Sequence, residues 1–464
     1  MTIFILLILV ITPSFSIFAQ SVPNIDFNLD LIKKSIQNYP REYYSEKSYN
    51  GYTIFSPEAS KNIYVMDNHG KIINSWRSKY RFTASTYLLE NGNMIHSCSI
   101  RRSWKIKPFK LCKGACGRIE MFDWDGNLIW EYENIDSYTS IHNDFEVMPN
   151  GNILMTYWRA KTREEALQAG CMEELIHPKD NNKLTGSVIE VKPIYPKGGE
   201  IVWQWHAWDH LIQDYDPSKD NYGNVSQHPE LIDINIPVLS EPTWPFLEYD
   251  QLHINAIDYN PDLDQILICP RNLNEILVID HNTTTEEAAG HYGGRYEKGG
   301  DILYRWGNPR NYDRGNESDQ QLFAQHDAQW ISPDCPGAGN IILYNNGFGR
   351  PGEDYSSIVE FVPPVDDNGS YILEDNCSFG PKEPVWEYKS SNPELFYSAY
   401  ASGCQRLPNG NTFICSGTKG TFYEVTSDKE VVWKHMSRFP FPLIDFNIVF
   451  KAQHVGADFP GLKI

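Results

Sequence analysis

VMPNGNILMT (147–156) places an Asn-Gly pair between two runs of apolar residues. Asparagine and glycine both tolerate positive φ angles, so the pattern predicts a tight hairpin turn that leads into a strand. The pattern recurs along the chain in LLENGNMIHS (88–97), GAGNIILYNN (337–346), RLPNGNTFICS (406–416) and, more loosely, YNPDLDQILICP (259–270). A turn that returns at intervals indicates an internal repeat.

A second repeated element is a turn containing glycine or aspartate, followed by β-formers and an aromatic residue. Its six copies are DNHGKIINSW (67–76), DWDGNLIWEY (123–132), KGGEIVWQW (197–205), KGGDILYRW (298–306), KEPVWEY (382–388) and SDKEVVWKH (427–435). Further strands, such as SSIVEFVP (356–363), lie between the two elements. Each unit therefore contains about four antiparallel strands. Six such units predict an all-β chain folded as a six-bladed β-propeller of four-stranded antiparallel blades.

The two ends of the repeat predict how the ring closes. Residues 51–76 supply outer strands without an inner one, and FNIVFKAQHV (446–455) is a lone strand near the C-terminus. We expect the C-terminal strand to complete the first blade, so that the propeller domain covers 51–460. Between its units, TREEALQAG (162–170) predicts a short helix, and the long loops 159–185 and 213–250 are expected on one face.

The N-terminal segment differs in composition from the repeats. IFILLILVITPSFSIFA (3–19) is one apolar run, short for a transmembrane span, and predicts a signal peptide over 1–19 with a lead-in segment over 20–50. Because no lysine or arginine precedes the run, an uncleaved anchor is the alternative. We expect a secreted or periplasmic protein with no stable membrane insertion after cleavage.

Charge and cysteine content narrow the function classes. The formal net charge of -20 argues against nucleic-acid and anionic-membrane partners, because both bind basic surfaces.

Of nine cysteines, Cys112 and Cys116 are close enough to pair, whereas Cys98, Cys269 and Cys415 end apolar runs and are expected as buried thiols.

Polar residues occupy one equivalent position of the repeat. When the units are aligned on their turns, the residues just before the first strands are Asn143, His253, His326 and Ser402, with His142 one place earlier. In a propeller the first strands surround the central axis, so these side chains are expected to meet at one mouth. Antiparallel second strands return to the same end, which adds Arg271 near His253, and Asn345, Asn346 and Arg350 near His326.

Imidazoles beside an arginine are suited to two related tasks. They can bind a compact oxyanion such as sulfate or phosphate, and they can supply a nucleophile and a proton carrier near neutral pH. Asp327 either orients an imidazole or caps a loop. A zinc or iron site is the rival chemistry, but the sequence has no H-E-x-x-H motif and the arginine would repel a cation. We therefore expect no metal and no cofactor.

Two other motifs carry weaker signals. GHYGGRYEKGG (290–300) is glycine-rich but lacks the strand–helix setting of a phosphate-binding loop. In WQWHAWDHLIQDY (203–215), His206 and His210 lie among aromatic residues, and packing is the expected role.

The chain resembles the arylsulfate sulfotransferases that use no nucleotide sulfate donor. The similar stretches extend over most of residues 50–460 and include HNDFEVMPNGNILM (142–155), WHAWDHLIQDYDPSKDNYGNV (205–225), HINAIDYNPDLDQILICPRN (253–272), GGDILYRWGNPRNYDRG (299–315), LFAQHDAQWI (322–331) and SGCQRLPNGNTFICSG (402–417).

This resemblance implies a six-bladed propeller and a ping-pong transfer from an aryl sulfate donor to a phenolic acceptor. It implies that His326 is the nucleophile and that His253, Asn255 and Arg271 bind the sulfuryl oxygens. A remaining imidazole exchanges a proton with the phenol, and Ser402 or Ser398 lies nearby. No nucleotide, redox cofactor or nucleic acid is implied.

The chain departs from the family where members commonly carry a histidine before the aspartate of HNDFEV, because Asn143 stands there. Since side chains alternate along a strand, His142 is expected to face away. This departure favours the alternative of a non-catalytic propeller that binds a sulfated or phenolic ligand. A metal-assisted sulfate ester hydrolase, built on the same ring of histidines, is the third alternative.

Overall fold

Four-stranded antiparallel sheets account for almost all regular structure in the chain. The computed structural model describes residues 42–58, 60–100, 116–238, 249–439 and 447–464. Within these ranges the unit Tyr44–Ile464 is a six-bladed β-propeller. The predicted signal peptide, most of the lead-in segment and Cys112 lie outside the described residues.

The strands follow the chain blade by blade, each blade from its inner to its outermost strand. The six blades are Val449–Gly456, Gly51–Pro57, Asn62–Asp67 and Ile72–Arg77 (blade 1); Arg81–Leu88, Met94–Ser99, Gly117–Phe122 and Leu128–Glu133 (blade 2); Thr139–Val147, Ile153–Thr162, Asn182–Pro193 and Gly199–His206 (blade 3); Ile254–Asn260, Gln265–Pro270, Ile276–Asp280 and Ile302–Trp306 (blade 4); His326–Trp330, Ile341–Asn345, Ser357–Phe361 and Trp386–Lys389 (blade 5); and Gly403–Arg406, Thr412–Ser416, Thr421–Val425 and Val431–Met436 (blade 6).

The remaining elements are short. The other strands are Glu42–Tyr44 and the parallel pair Leu211–Ile212 and Ile232–Asp233. The α-helices are Arg163–Gln168, Thr285–Ala288 and Pro393–Phe396. The 3-10 turns are Glu173–Leu175, Ala207–His210, Val225–Gln227, Arg271–Leu273, Pro309–Tyr312, Glu317–Asp319 and Gly417–Lys419. No helix among the described residues is long and apolar enough to cross a membrane.

Two sequence predictions about element placement are confirmed. The C-terminal strand Val449–Gly456 pairs with Gly51–Pro57 and so completes the first blade. The inner strand of every blade contacts the inner strands of both neighbouring blades, so the ring is closed. The predicted helix begins at Arg163, where Thr162 and Glu165 form a capping box.

The aromatic residue of the second repeated element joins the blades. Each outermost strand contains a tryptophan whose indole N–H donates to a backbone carbonyl of the next blade, at 2.7–2.9 Å. The six pairs are Trp76 to Asp123, Trp130 to Gly198, Trp205 to Gly300, Trp306 to Pro381, Trp386 to Ser427 and Trp433 to Asn68. The last bond runs from blade 6 back to blade 1. Indole rings thus fill the space between blades while each polar N–H stays satisfied.

The inner strands are interrupted by β-bulges on their way along the axis. In blade 3, Ile141 pairs with Tyr157 and Phe145 with Met155, so three inner residues stand opposite Thr156. Blades 1, 2, 4 and 5 have extra residues at the corresponding place. A bulge re-aims the side chains on either side of it. His142 and Asn143 lie in the bulge of blade 3, whereas His253 and His326 stand just before the bulges of blades 4 and 5.

Candidate active site

His326 begins the inner strand of blade 5, and its imidazole is buried. Its Nδ1 lies 2.7 Å from Asn346 Oδ1 and 3.0 Å from the carbonyl oxygen of Ala324. Both oxygens only accept hydrogen bonds, so Nδ1 carries the hydrogen and Nε2 keeps its lone pair. Burial, followed by the positive charge of Arg271, lowers the pKa of His326 to about 3. The imidazole is therefore neutral at physiological pH, and the lone pair of its unprotonated Nε2 is available for attack.

A backbone donor stands at that nitrogen. The N–H of Ala401 donates to His326 Nε2 at 3.2 Å. Ala401 and Ser402 have φ angles of 57° and 88°, a left-handed conformation that residues other than glycine rarely adopt. Asn346 supports this turn, because its Nδ2 donates to the carbonyls of Ser398 at 2.7 Å and Ala401 at 2.9 Å. One side chain thus fixes both the tautomer of the imidazole and the turn that faces it.

His253 lies on the neighbouring blade and pairs with a carboxylate. Its Nδ1 is 2.7 Å from Asp250 Oδ2, and its backbone N–H donates to Asp250 Oδ1 at 3.1 Å. The indole N–H of Trp158 donates to the same Oδ2 at 2.9 Å. Burial raises the pKa of Asp250 to about 6, and the charge of His142 opposes the shift. An imidazole held by a carboxylate is the arrangement of a proton carrier.

His142 contributes a third imidazole, contrary to the expectation that it faces away. Its ring stacks on Trp158 with centroids 3.6 Å apart and meets the ring of His253 edge-on at 4.7 Å. The cause is the bulge of blade 3, where Asn143 has a φ of 44° and breaks the alternation of side chains. Asn143 itself is buried at that turn. The backbone thus brings His142 to the cluster although a histidine is missing at 143.

Arg271 follows the second strand of blade 4 and belongs to the same cluster. Its backbone N–H donates to the carbonyl of His253 at 3.2 Å, and its Nη1 donates to Asn272 Oδ1 at 2.9 Å. The guanidinium lies 5.9 Å from the ring centre of Phe348. Its charge, together with that of His253, acts on His326. The guanidinium and imidazoles from blades 3, 4 and 5 therefore share one buried region, which we call the mouth.

Three predicted substrate-binding residues make contacts with backbone instead. Asn255 Nδ2 donates to the carbonyl of Gln325 at 2.7 Å and so ties blade 4 to the residue before His326. Asn345 accepts from the N–H of Phe323 at 2.9 Å and donates to Gln321. Ser402 Oγ accepts from the N–H of Gly417 at 2.9 Å, and Ser398 Oγ accepts from that of Thr418 at 3.0 Å. These contacts position the turns that surround the imidazoles.

Two further residues near the mouth have different surroundings. Asp327 orients no imidazole in its observed contacts, because it accepts from the N–H of Cys404 at 3.0 Å and pairs with Lys451 at 3.0 Å. Lys451 also pairs with Asp144 at 2.8 Å. The guanidinium of Arg350 lies over the rings of Phe323 and Tyr355, at 4.8 and 4.1 Å from their centres. Arg350 is thus held beside the segment that leads into His326.

Sequence reasoning missed Asp250, Trp158 and Lys451. Asp250 stands three residues before His253, a spacing that could have suggested a pair. Trp158 and Lys451 come from a second strand and from the C-terminal strand, and no local pattern points to them. Their roles depend on which strands the ring brings together.

Comparisons with known proteins identify a family for most of the chain. The family model described as Arylsulfotransferase (ASST) matches residues 39–439. Comparison with curated protein sequences gives no match. Among solved structures, a protein of unknown function from Bacteroides caccae has a TM-score of 0.46 at 11% identity, over 88% of this chain and 99% of that one. A functionally unknown protein from Desulfotomaculum acetoxidans has a TM-score of 0.40 at 10% identity, over 88% of this chain and 100% of that one.

Proposed function

Because the chain belongs to the arylsulfotransferase (ASST) family, we propose that it moves a sulfuryl group from a phenolic sulfate ester to a phenol. The observation that carries the proposal is a buried neutral imidazole, His326, whose Nε2 lone pair lies within the field of Arg271. A sulfate ester is an anion, so a fixed guanidinium favours its binding and stabilises charge that develops during transfer.

In the first half of the reaction, His326 Nε2 attacks the sulfur of the donor. The N–S bond forms while the bond between sulfur and the aryl oxygen breaks, and the electron pair leaves on that oxygen. His253, in its protonated form and held by Asp250, gives a proton to the leaving phenolate. The N–H of Ala401, which donates to Nε2 in the resting site, becomes available to a sulfuryl oxygen.

In the second half, a phenol acceptor occupies the same mouth after the first phenol has left. Its oxygen attacks the sulfur of the sulfohistidine, its proton passes to His253, and the electron pair of the N–S bond returns to His326 Nε2. Donor and acceptor are chemically alike, so one site serves both in turn, and atoms and charge balance without a cofactor. His142 stacks on Trp158 and meets His253 edge-on, so it helps to fix the orientation of the His253 ring.

A colorimetric assay separates this proposal from its rivals. The protein is incubated with p-nitrophenyl sulfate, with and without added phenol. We expect p-nitrophenol release that requires the acceptor, together with a sulfated histidine at 326 by mass spectrometry when only the donor is present. Release that needs no acceptor would indicate a hydrolase, and donor binding without any release would indicate a binding module.

Two variants at the nucleophile make the test specific. His326→Ala removes the ring, whereas His326→Asn keeps a donor that can reach Asn346 and removes only the attacking nitrogen. Both variants should lose the sulfated histidine and nearly all transfer. The exposed His228 is the control position, and His228→Ala should keep full activity. Transfer that survives in His326→Asn would refute the covalent route.

Export is part of the same proposal. We propose that residues 1–19 are a signal peptide and that the mature protein acts in the periplasm or outside the cell. Expression in a secreting host followed by N-terminal sequencing should give a chain that begins near Gln20. A secreted or periplasmic chain that still begins at Met1 would contradict cleavage.

A further inference from the structure

A second histidine cluster lies outside the mouth, beside the outermost strands of blades 3 and 4. His210 ends the 3-10 turn Ala207–His210, which follows the outermost strand of blade 3. His291 lies at the start of the glycine-rich segment 290–300 and Asp301 directly follows that segment, which precedes the outermost strand of blade 4. His210 and Asp301 are buried, whereas the side chain of His291 is 51% exposed.

The hydrogen bonds of this cluster do not explain what lies between His210 Nδ1 and the carboxylate of Asp301. Asp301 Oδ1 lies 2.8 Å from His210 Nδ1 and 2.8 Å from His291 Nδ1. His210 Nε2 lies 2.9 Å from the carbonyl oxygen of Ala288, which can only accept, so Nε2 carries a hydrogen. In a neutral His210, the Nδ1 lone pair then faces the carboxylate oxygen. Two lone pairs at this distance require a positive species between them, which is either an extra proton or a metal ion.

We propose that His210 Nδ1, His291 Nδ1 and Asp301 Oδ1 bind one divalent metal ion of the zinc class. The three atoms lie within 4.8 Å of one another. In a tetrahedral site with bonds of about 2.0–2.2 Å, ligand atoms are roughly 3.3 Å apart, so a small outward movement admits the ion. Two imidazoles and one carboxylate form a ligand set that zinc prefers.

The surroundings of His210 resemble those of a ligand. A histidine that binds metal through one nitrogen usually donates the other N–H to a carbonyl or carboxylate, which fixes the ring, and Ala288 provides that carbonyl. The ring also stacks on Trp205 with centroids 5.7 Å apart. Gly300 is required beside it, because a Cβ there would lie 2.7 Å from His210 Nε2 and 2.1 Å from the Ala288 oxygen. The site is therefore built around the ring.

Solvent reaches the cluster from one side. His291 lines an open cavity of about 780 Å³, whose wall also includes Trp208, Asp209 and His228. We assign the fourth tetrahedral position to a water molecule. With three ligands from two blades, the ion would act as a clip that holds the glycine-rich segment of blade 4 against blade 3. This inference does not depend on sulfuryl transfer.

A second group of candidate ligands shows why the charge balance matters. His96, Cys98 and Glu120 also lie within 4.8 Å of one another. There, however, Glu120 Oε1 already accepts from the guanidinium of Arg118 at 2.9 Å. That positive charge satisfies the carboxylate and would repel a metal ion. Among the described residues the His210 cluster is the better metal site.

The test measures zinc binding by the full protein without reference to its activity. Protein freed of metal with a chelator is titrated with zinc chloride by calorimetry, and its melting temperature is measured with and without zinc. The variants are His291→Ala, which changes a half-exposed residue and should fold, and Asp301→Asn. His228→Ala removes an exposed imidazole from the wall of the same cavity and is the matched control.

We expect one zinc ion per chain and a higher melting temperature with zinc in the wild type and in His228→Ala. Affinity should fall at least about tenfold in His291→Ala and Asp301→Asn, and the thermal shift should disappear. Cobalt should give the absorption bands of a tetrahedral ion in the wild type only. Absence of zinc binding by the wild type, or equal binding by His291→Ala, would overturn the proposal. The positive species between His210 and Asp301 would then be an extra proton.

Discussion

Asn346 Oδ1 lies 2.7 Å from His326 Nδ1 and thereby directs the lone pair of the imidazole to Nε2. The two residues come from the inner strand and from the end of the second strand of blade 5. The same amide donates to the carbonyls of Ser398 and Ala401, so it connects the imidazole of His326 to the turn that faces it. Asn346 acts on the reaction only through His326, so loss of this contact should change the pH profile as well as the rate.

Asn346→Ala should lower kcat by about 10- to 100-fold, by analogy with the loss of a partner that orients a metal-bound histidine. The ring keeps one acceptor, the carbonyl of Ala324, so activity should not vanish. Asn346→Asp places a carboxylate at Nδ1 and should raise the pKa of His326. On acidification, its activity should therefore begin to fall at a higher pH than that of the wild type. An unchanged pH profile in Asn346→Asp would contradict the positioning role.

Asp250→Asn should lower kcat by roughly 100-fold or more, because the amide cannot stabilise a protonated His253. The pKa of Asp250 is raised to about 6 by burial, whereas that of His326 is lowered to about 3. The acidic limb of kcat/KM in the wild type should therefore have an apparent pKa near 6 and belong to the Asp250–His253 pair. If the acidic limb of the pH profile has the same apparent pKa in Asp250→Asn, a group other than the Asp250–His253 pair produces it.

Arg271→Ala should cost about 3 kcal/mol of transition-state stabilisation, the size of effect seen when an oxyanion donor is removed. Arg271→Lys keeps the charge but loses the paired donors, so a smaller loss is expected. The measurement is kcat/KM with p-nitrophenyl sulfate. Equal losses in both variants would mean that the geometry of the guanidinium, and not its charge, is what the reaction uses.

Lys451→Met should destabilise the fold by about 3–5 kcal/mol, because it leaves the buried carboxylates of Asp144 and Asp327 without their cation. Burial alone would lower the pKa of Lys451, but these carboxylates raise it well above its usual value. Urea unfolding measures the change. The control is Lys47→Met, which removes an exposed pair with Glu430 and should cost less than about 1 kcal/mol. Similar losses at both positions would contradict a special role of the central lysine.

His281 should make stability depend on pH above neutrality. Burial opposes its charge, but Asp264 and Glu190 raise its pKa to about 9. Below about pH 6.5 the imidazole is protonated in the folded and unfolded chains, so the stabilisation is fully present. Between pH 6.5 and 9 the unfolded chain loses the proton first, and up to about 3 kcal/mol should disappear. His281→Gln should lack this slope in unfolding free energy, and a slope equal to that of the wild type would rule the histidine out.

The fold could be read from the sequence because its determinants are local and repeated. Asn-Gly turns fix hairpins over a few residues, and the tryptophan in each copy of the second element marks the outermost strand. The structure adds that each of these indoles bonds to the next blade, including the bond from Trp433 to Asn68 that closes the ring. A lone C-terminal strand and a first blade without an inner strand were enough to predict the closure.

The candidate site was only partly within reach of the sequence. The repeat alone identified the positions of His326 and His253, because equivalent residues of a ring lie at equivalent places. The orientation of His142 depended on a positive φ at Asn143, which strand alternation does not predict. Asp250 lies only three residues before His253, so its pairing had a local signal, but Trp158 and Lys451 come from other strands and local sequence carries no information about contacts between distant segments. Repetition thus determined the architecture, whereas the chemical environment of each imidazole arose only when the blades packed against one another.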